Sequence, residues 1–204
     1  MYIPEQLALT DSKVIGEIIA AHGFGLLLTS DLTATHLPLV HSAEGAELGT
    51  LYGHFAKTNS HWQQAQNQSV LVVFQGPHAY ISPRWYQRQP AVPTWNYVAV
   101  HCYGKLELLA DNENHTAMNQ LVEQYEPELL TSTAVMPEDY QARLRQNVVG
   151  FKIVIDKVDA KEKLGQHRVQ ADQRAVHQAL EQHHSPEAQA LARYMTKRQL
   201  GTGS

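Results

Sequence analysis

The sequence predicts a mainly β protein of the α+β class, a small closed or partly split barrel with peripheral helices and a helical C-terminal segment. Apolar and polar residues alternate in four short runs between Phe24 and Phe74, as in half-buried strands. Further strand-like stretches follow at His78–Ile81, Trp95–Leu109 and Val148–Ile155. About seven short antiparallel strands with one helical insertion suggest a barrel.

The first elements are read from caps and periodicity. Asp11, between two hydroxyl residues, supplies an N-cap, and the helix after it ends before Gly23, a natural C′ residue. The four strands that follow are FGLLLT, TATHLPLV, ELGTLYGHF and SVLVVF, separated by Ser30-Asp31, by a turn at Ser42–Gly45 and by a short helix near Ser60–Gln66. Pro38 lies inside the second strand, which places that strand at an edge or a bulge because proline cannot donate to the ladder.

Helices dominate the second half of the chain. Asp111 is predicted to cap a helix to about Tyr125, and a short helix is expected at Glu138–Leu144. Two terminal helices are predicted at Asp172–Gln182 and Pro186–Lys197, with Ser185 as N-cap. We therefore expect a barrel domain over residues 1–168 and a helical extension over residues 169–204 that packs on the same domain.

Composition narrows the class of protein. Hydrophobic content of 43% and charged content of 18% are ordinary for a globular domain, and the net charge of −4 gives no general attraction to nucleic acid. No apolar run approaches the ~20 residues that span a bilayer, and the N-terminus MYIPEQ lacks a signal-peptide pattern. We expect a cytoplasmic protein without a membrane partner.

Neither a metal site nor a catalytic residue is predicted. The histidines lack an HExxH spacing, and the single cysteine excludes a cysteine-based zinc site. Cys102 lies in the middle of a strand among apolar neighbours, where cysteine usually behaves as a small hydrophobe.

Polar groups beside Gly or Pro at strand ends predict a ligand site. Such groups occur in the segments Ala34–Leu39, Gly53–Asn59, Gly76–Tyr86 and Val92–Tyr97, where backbone atoms stay free of the ladder. Flavin mononucleotide (FMN) needs an aromatic or apolar wall, a few backbone partners, and Lys or Arg for its phosphate. Lys57 is the best internal phosphate candidate, and the aromatic loop over residues 83–93 is expected to cover the site.

Four motifs in order, ATHLPL, GHFAKTNSHW, VLVVFQGPHAYISPRWY and VPTWNYVAVHCYG, closely resemble the PaiB-type family. The resemblance extends from MYIP at the N-terminus to KLGQHR at residues 163–168. These are FMN-binding split-barrel proteins, related to pyridoxamine-phosphate oxidases and described as negative transcriptional regulators. The family implies a homodimer with flavin at the subunit interface.

The resemblance also implies a set of cofactor-binding residues. Lys57 would contact the phosphate, and the segments from Ser82 and Thr94 onward would close the site. The full set is Thr35, His36, Leu37, Gly53, His54, Phe55, Ala56, Lys57, Asn59, Ser82, Trp85, Thr94, Trp95, Gln166 and Arg168. Where the family would have KLSQN, Gly165 and His167 depart from the pattern, which removes a hydroxyl and an amide from that segment and leaves Gln166 and Arg168 as its ligand contacts.

Three functions follow as hypotheses. The first is an FMN-binding regulator or weak flavin-dependent oxidoreductase. The second is a DNA-binding repressor, for which the terminal helices form a helix pair, although alanines dominate the second helix. The third is a haem-binding or haem-processing protein, since related split barrels are associated with haem handling. A DNA or protein partner in regulation stays open.

Overall fold

Six antiparallel strands form a closed barrel in the computed structural model, which describes residues 1–44 and 46–204. Around the barrel the strand order is β1-β2-β3-β6-β5-β4. The strands are β1 (Phe24–Leu28), β2 (Ala34–Ser42), β3 (Thr50–Ala56), β4 (Ser69–Ile81), β5 (Thr94–Leu108) and β6 (Val148–Lys163). Six α-helices accompany them: α1 (Ser12–Ala21), α2 (His61–Ala65), α3 (Asp111–Tyr125), α4 (Glu138–Arg145), α5 (Gln170–Glu181) and α6 (Pro186–Arg198).

The barrel confirms the predicted fold, with longer strands than expected. The predicted strands SVLVVF and His78–Ile81 are one strand, β4, because the chain stays extended through Gly76 and Pro77. A side chain at Gly76 would approach Cβ of Val98 to 2.9 Å, so glycine allows this close contact. Strand β6 continues past the predicted end at Ile155 to Lys163. Of the predicted turn Ser42–Gly45, Gly45 lies outside the described residues.

Helix caps agree with the sequence in two of three cases. The Asp11 carboxylate accepts the backbone N–H groups of Lys13 and Val14, as predicted, and Pro186 opens α6 behind Ser185. Asp111, however, is the first residue of α3 and not its cap. Ala110 occupies the N-cap, and its N–H donates to the Glu113 carboxylate at 3.1 Å.

The chain divides into two compact units. The first comprises Met1–Thr10, Gln75–Val100 and Asp159–Ser204, and the second comprises Asp11–Phe74 and His101–Val158. The second unit has an aliphatic and aromatic core formed by Leu27, Leu39, Leu51, Phe55, Val72, Phe74, Phe151 and Ile153.

In the first unit, α5 and α6 pack through Val176, Leu180, Leu191 and Met195, all buried. A buried carboxylate fixes α6 to β6. Glu162 accepts from Arg198 Nε at 2.7 Å and Nη2 at 3.1 Å, and from the Tyr194 hydroxyl. Burial and this carboxylate raise the pKa of Tyr194. The apolar residues of α6, including Ala188 and Ala192, are therefore used in packing.

No helix among the described residues combines the length and apolar character needed to cross a bilayer.

Candidate functional site

Strand β2 changes partner along its length. Residues Ala34–Pro38 pair with β1. The pairing with β3 begins with Ser42 opposite Thr50 and ends with Leu39 opposite Gly53. On its other edge, β3 pairs with β6 along its whole length, from Thr50 to Ala56. No strand in the described part of the chain covers the facing edges of residues 34–38 and 54–56. Pro38 lies where β2 changes partner, which explains how the barrel accommodates a proline there.

His61, the first residue of α2, joins β2 to the turn after β1. Its Nδ1 lies 2.7 Å from Thr35 Oγ1 and its Nε2 lies 2.9 Å from Thr29 Oγ1. Thr29 Oγ1 donates to Asp31 Oδ1 at 2.6 Å, and Asn59 Nδ2 donates to Thr35 Oγ1 at 3.4 Å. One set of donors satisfies all four bonds: a neutral imidazole that is protonated at Nε2 and accepts the Thr35 hydroxyl proton at Nδ1.

The His61 imidazole is 2% exposed, and burial lowers its pKa, although Asp31 opposes that shift. Desolvation is the larger of the two influences, and it favours the neutral imidazole that satisfies all four bonds. His61 thus fixes the Thr35 hydroxyl and, through it, the position of the Asn59 amide.

Three of the predicted cofactor residues belong to the core of the second unit. Leu37 and Phe55 are buried, and the Phe55 ring packs 4.9 Å from that of Phe151. A side chain at Gly53 would meet Leu39 Cδ2 at 2.7 Å and Phe151 Cζ at 2.8 Å. These residues can therefore offer a ligand only their backbone groups.

The other predicted residues of β2 and β3 point outward. His36 is exposed and stacks on Phe24, with ring centroids 5.7 Å apart. His54 is half-buried, and desolvation lowers its pKa. Ala56 and Lys57 are exposed. The Lys57 ammonium makes one long hydrogen bond, 3.4 Å to the Gln146 carbonyl, and its own carbonyl accepts from Trp62 Nε1 at 3.1 Å.

In the first unit, Trp95 forms an exposed aromatic wall. Its side chain is 53% exposed, with Tyr80 edge-on at 6.1 Å and His78 at 6.3 Å between ring centroids. These residues line a pocket of about 280 Å³ together with His183 and residues at the start of α6. Its aromatic lining suits a flat ring.

Thr94 lies on the opposite face of β5, since consecutive strand residues alternate. Its hydroxyl accepts from Lys163 Nζ at 2.6 Å. The pKa of Lys163 is lowered by desolvation and, to a smaller extent, by the nearby cations Lys161 and Arg168. No salt bridge neutralises Lys163 or Arg168 among the described residues. Thr94 therefore lies beside a group of uncompensated positive charges.

Ser82, Trp85 and Gln166 have structural partners. Ser82 Oγ accepts from the Arg84 N–H at 3.2 Å and caps a 3₁₀ helix over Pro83–Trp85. The Trp85 ring lies edge-on to His183, 5.9 Å away. The Gln166 amide donates to the Glu162 carbonyl at 2.7 Å and accepts from the Leu164 N–H at 2.8 Å. The Gln166 side chain thus stabilises the turn in which it lies.

Gly165 and Arg168 belong to the same turn. Gly165 has φ +80°, a left-handed conformation that favours glycine over the serine of the family pattern. The guanidinium of Arg168 lies 4.9 Å from the centre of the Tyr86 ring, which is buried. The departure at residue 165 thus has a local conformational reason.

Sequence reasoning missed His61 and Lys163. His61 is next to Trp62 in a short helix, and its partners Thr29 and Thr35 are 32 and 26 residues away. No periodic pattern reveals such contacts. Lys163 begins the KLGQHR segment, so that resemblance could have indicated it.

Known proteins share both the sequence pattern and the fold. The family described as "Putative FMN-binding domain" matches residues 1–157. The protease synthase and sporulation protein PAI 2 of Bacillus subtilis is 36% identical over 202 residues, covering 96% of each chain. An uncharacterised protein, AN0679, of Emericella nidulans is 30% identical over 223 residues, covering 86% of this chain and 88% of that one.

Two solved structures share the fold at low sequence identity. The flavocytochrome Anf3 from Azotobacter vinelandii has a TM-score of 0.60 at 12% identity, covering 79% of this chain and 72% of that one. The FAD- and haem-binding protein from Mycobacterium smegmatis has a TM-score of 0.60 at 11% identity, covering 76% and 72%. Both support the split-barrel architecture.

Proposed function

The chain belongs to the PaiB-type family of FMN-binding domains, its cofactor is FMN, and we propose that it acts as a homodimeric, flavin-dependent redox or regulatory protein. The Bacillus relative is named for protease synthesis and sporulation, which supports a regulatory output. The redox chemistry itself belongs to the flavin ring, which exchanges electrons when bound. The protein residues bind and orient it.

The observation that carries this proposal is the separation of β2 from β3. The facing edges of residues 34–38 and 54–56 leave backbone N–H and C=O groups outside the ladder, and such groups are the usual partners of a flavin ring. Thr35 and Asn59 hold the polar end of this gap through His61. These residues fit FMN in donor type.

A phosphate group needs positive charge, and Lys57 supplies it in the second unit. Its ammonium is exposed and makes only the long contact with the Gln146 carbonyl. It can therefore turn toward an anion with the loss of one weak hydrogen bond. Thr58 adds a hydroxyl directly after it in the chain. A lysine and a hydroxyl are a common pair at phosphate sites.

A partner subunit would cover an exposed part of β1 and β2. Phe24 is 67% exposed and stacks on His36. Leu32, in the turn between β1 and β2, is 86% exposed. Exposed apolar groups next to a proposed cofactor site favour an interface there. A homodimer with flavin at the subunit interface is consistent with this surface.

An FMN titration of the flavin-free protein tests the proposal. Wild type should quench FMN fluorescence saturably, with one FMN per chain. Lys57→Ala should weaken binding about tenfold or more, because a charge-assisted hydrogen bond contributes ~1.5–3 kcal/mol. The same titration with Trp95→Ala tests the aromatic wall of the first unit.

Lys105→Ala provides the matched control, since Lys105 is also an exposed lysine of the second unit. It should bind FMN like wild type. Equal affinities in wild type, Lys57→Ala and Lys105→Ala would refute the phosphate role of Lys57. Failure of wild type to bind FMN would refute the function itself.

A further inference from the structure

A second cavity lies in the second unit, between α3 and α4. Its volume is about 230 Å³. Most of its lining is apolar, and His54 of β3 contributes to it together with polar groups of both helices. The lining comprises His54, His115, Met118, Asn119, Leu121, Val122, Val135, Met136, Tyr140, Gln141, Leu144 and Arg145.

Size and charge both argue against FMN as the occupant. Sites for molecules of cofactor size usually enclose at least ~300 Å³, and FMN combines fused rings with a ribityl chain and a phosphate. The one fixed positive charge in the lining, Arg145, is already paired with Glu138 at 2.6 Å. A phosphate or carboxylate would therefore find no uncompensated cation among the described lining residues.

The polar groups of the cavity are incompletely used. The half-buried imidazole of His54 has no hydrogen-bond partner within residues 1–44 and 46–204. Asn119 Nδ2 contacts His115 Nε2 at 3.3 Å, and Gln141 Nε2 donates to the Met136 carbonyl at 2.8 Å. The amide oxygens of both side chains stay available as acceptors. A neutral imidazole has one donor and one acceptor, so it matches a hydroxyl or an amide.

The outer wall of the cavity, formed by α4 and Val135, makes few packing contacts. Helix α4 buries no residue, and Val135, Tyr140 and Leu144 are 65%, 50% and 48% exposed. An apolar molecule beneath α4 would bury these side chains and add the contacts that the helix lacks. Its flat faces would meet Met118, Leu121 and Val122 on α3.

We propose that this cavity binds an uncharged aromatic molecule of one or two rings that carries a hydroxyl or amide group. The apolar lining takes the rings, and His54 with the free amide oxygens takes the polar group. The absence of an unpaired charge selects against anions. This site is additional to the flavin site and does not depend on it.

Isothermal titration calorimetry with 2-naphthol, indole and phenol tests the proposal, with 2-naphthoate as the charged counterpart of 2-naphthol. We expect saturable one-to-one binding of at least one uncharged probe, at least tenfold tighter for 2-naphthol than for 2-naphthoate. Hydrogen exchange of the α4 amides should slow when the probe is bound. His54→Leu should weaken 2-naphthol binding about tenfold, through loss of its hydrogen bond.

Leu121→Trp, which fills the cavity, should abolish binding, while Glu123→Trp, an exposed α3 residue outside the lining, should leave it unchanged. Circular dichroism melting identifies any variant that fails to fold, and His54→Leu then provides the decisive comparison. The proposal is overturned if none of the three uncharged probes binds. It is overturned equally if 2-naphthol binds wild type, Leu121→Trp and His54→Leu with the same affinity.

Discussion

His61 connects three parts of the second unit through two hydroxyl groups. The imidazole is buried and both ring nitrogens are engaged, so its removal takes one hydrogen bond from each of Thr29 and Thr35. Unsatisfied buried polar groups destabilise a fold by ~1–3 kcal/mol each. His61 therefore contributes to stability as well as to the shape of the proposed flavin site.

We expect His61→Ala to lower the free energy of unfolding by about 3 kcal/mol at pH 8, measured by urea denaturation. Burial lowers the pKa of His61 in the folded state, so the unfolded chain binds a proton first as the pH falls. The wild-type contribution is complete above pH ~6.5 and declines below it, through the folded pKa. The difference between wild type and variant should shrink over that range.

Gln64→Ala is the control for this prediction, because Gln64 is exposed on the same short helix. It should change the unfolding free energy by less than about 0.5 kcal/mol. A His61→Ala protein as stable as the control at pH 8 would show that the four hydrogen bonds carry no net stability.

The sequence predicted some local features correctly but not contacts between residues far apart in the chain. The Asp11 cap followed from a local pattern and is confirmed. His54 was predicted among the flavin-binding residues, and its role there stays a prediction; its side chain lines the cavity between α3 and α4. Strand alternation alone cannot say which helix covers the outward face of β3, because that depends on contacts between residues far apart in the chain.

At the scale of elements, β5 and β6 approach each other closely at Gly104. A side chain there would overlap the Val154 carbonyl oxygen and lie 2.8 Å from Ile153 Cγ2. The backbone atom belongs to a barrel strand and cannot move without disturbing its hydrogen bonds. Glycine at residue 104 is thus required by packing between neighbouring strands.

Gly104→Ala should destabilise the protein by about 1–3 kcal/mol, the usual range for overpacking a close contact. Thermal or urea unfolding provides the measurement. Lys105→Ala, an exposed neighbour on the same strand, serves as the reference. Equal stability of the two variants would mean that the strands separate freely at this point, in contradiction of the closed barrel.

Element positions were more predictable than element lengths. The period-two runs located every strand, because alternation reports a half-buried face directly. The continuation of β4 through Gly76-Pro77 and of β6 to Lys163 was not predicted. Glycine and proline are read locally as breaks, but here the neighbouring strands hold the chain extended, and charged residues at 159–163 conceal the alternation.

For the whole molecule, family membership and barrel topology agree on an FMN-binding split barrel. The helical extension predicted for residues 169–204 lies in the same compact unit as residues 1–10 and 75–100. The association of two chains around the flavin, which no single chain can display, stays a proposal. The sequence predicts it only through the family resemblance.

Size-exclusion chromatography with light scattering and simultaneous visible absorption, after incubation with FMN, tests the central claim most directly. The protein should elute as one peak with twice the 22.9 kDa mass of the chain, carrying the flavin absorption band at one FMN per chain. A colourless peak, free of flavin after incubation with excess FMN, would contradict it. A flavin-loaded peak at 22.9 kDa would support FMN binding but refute the homodimer.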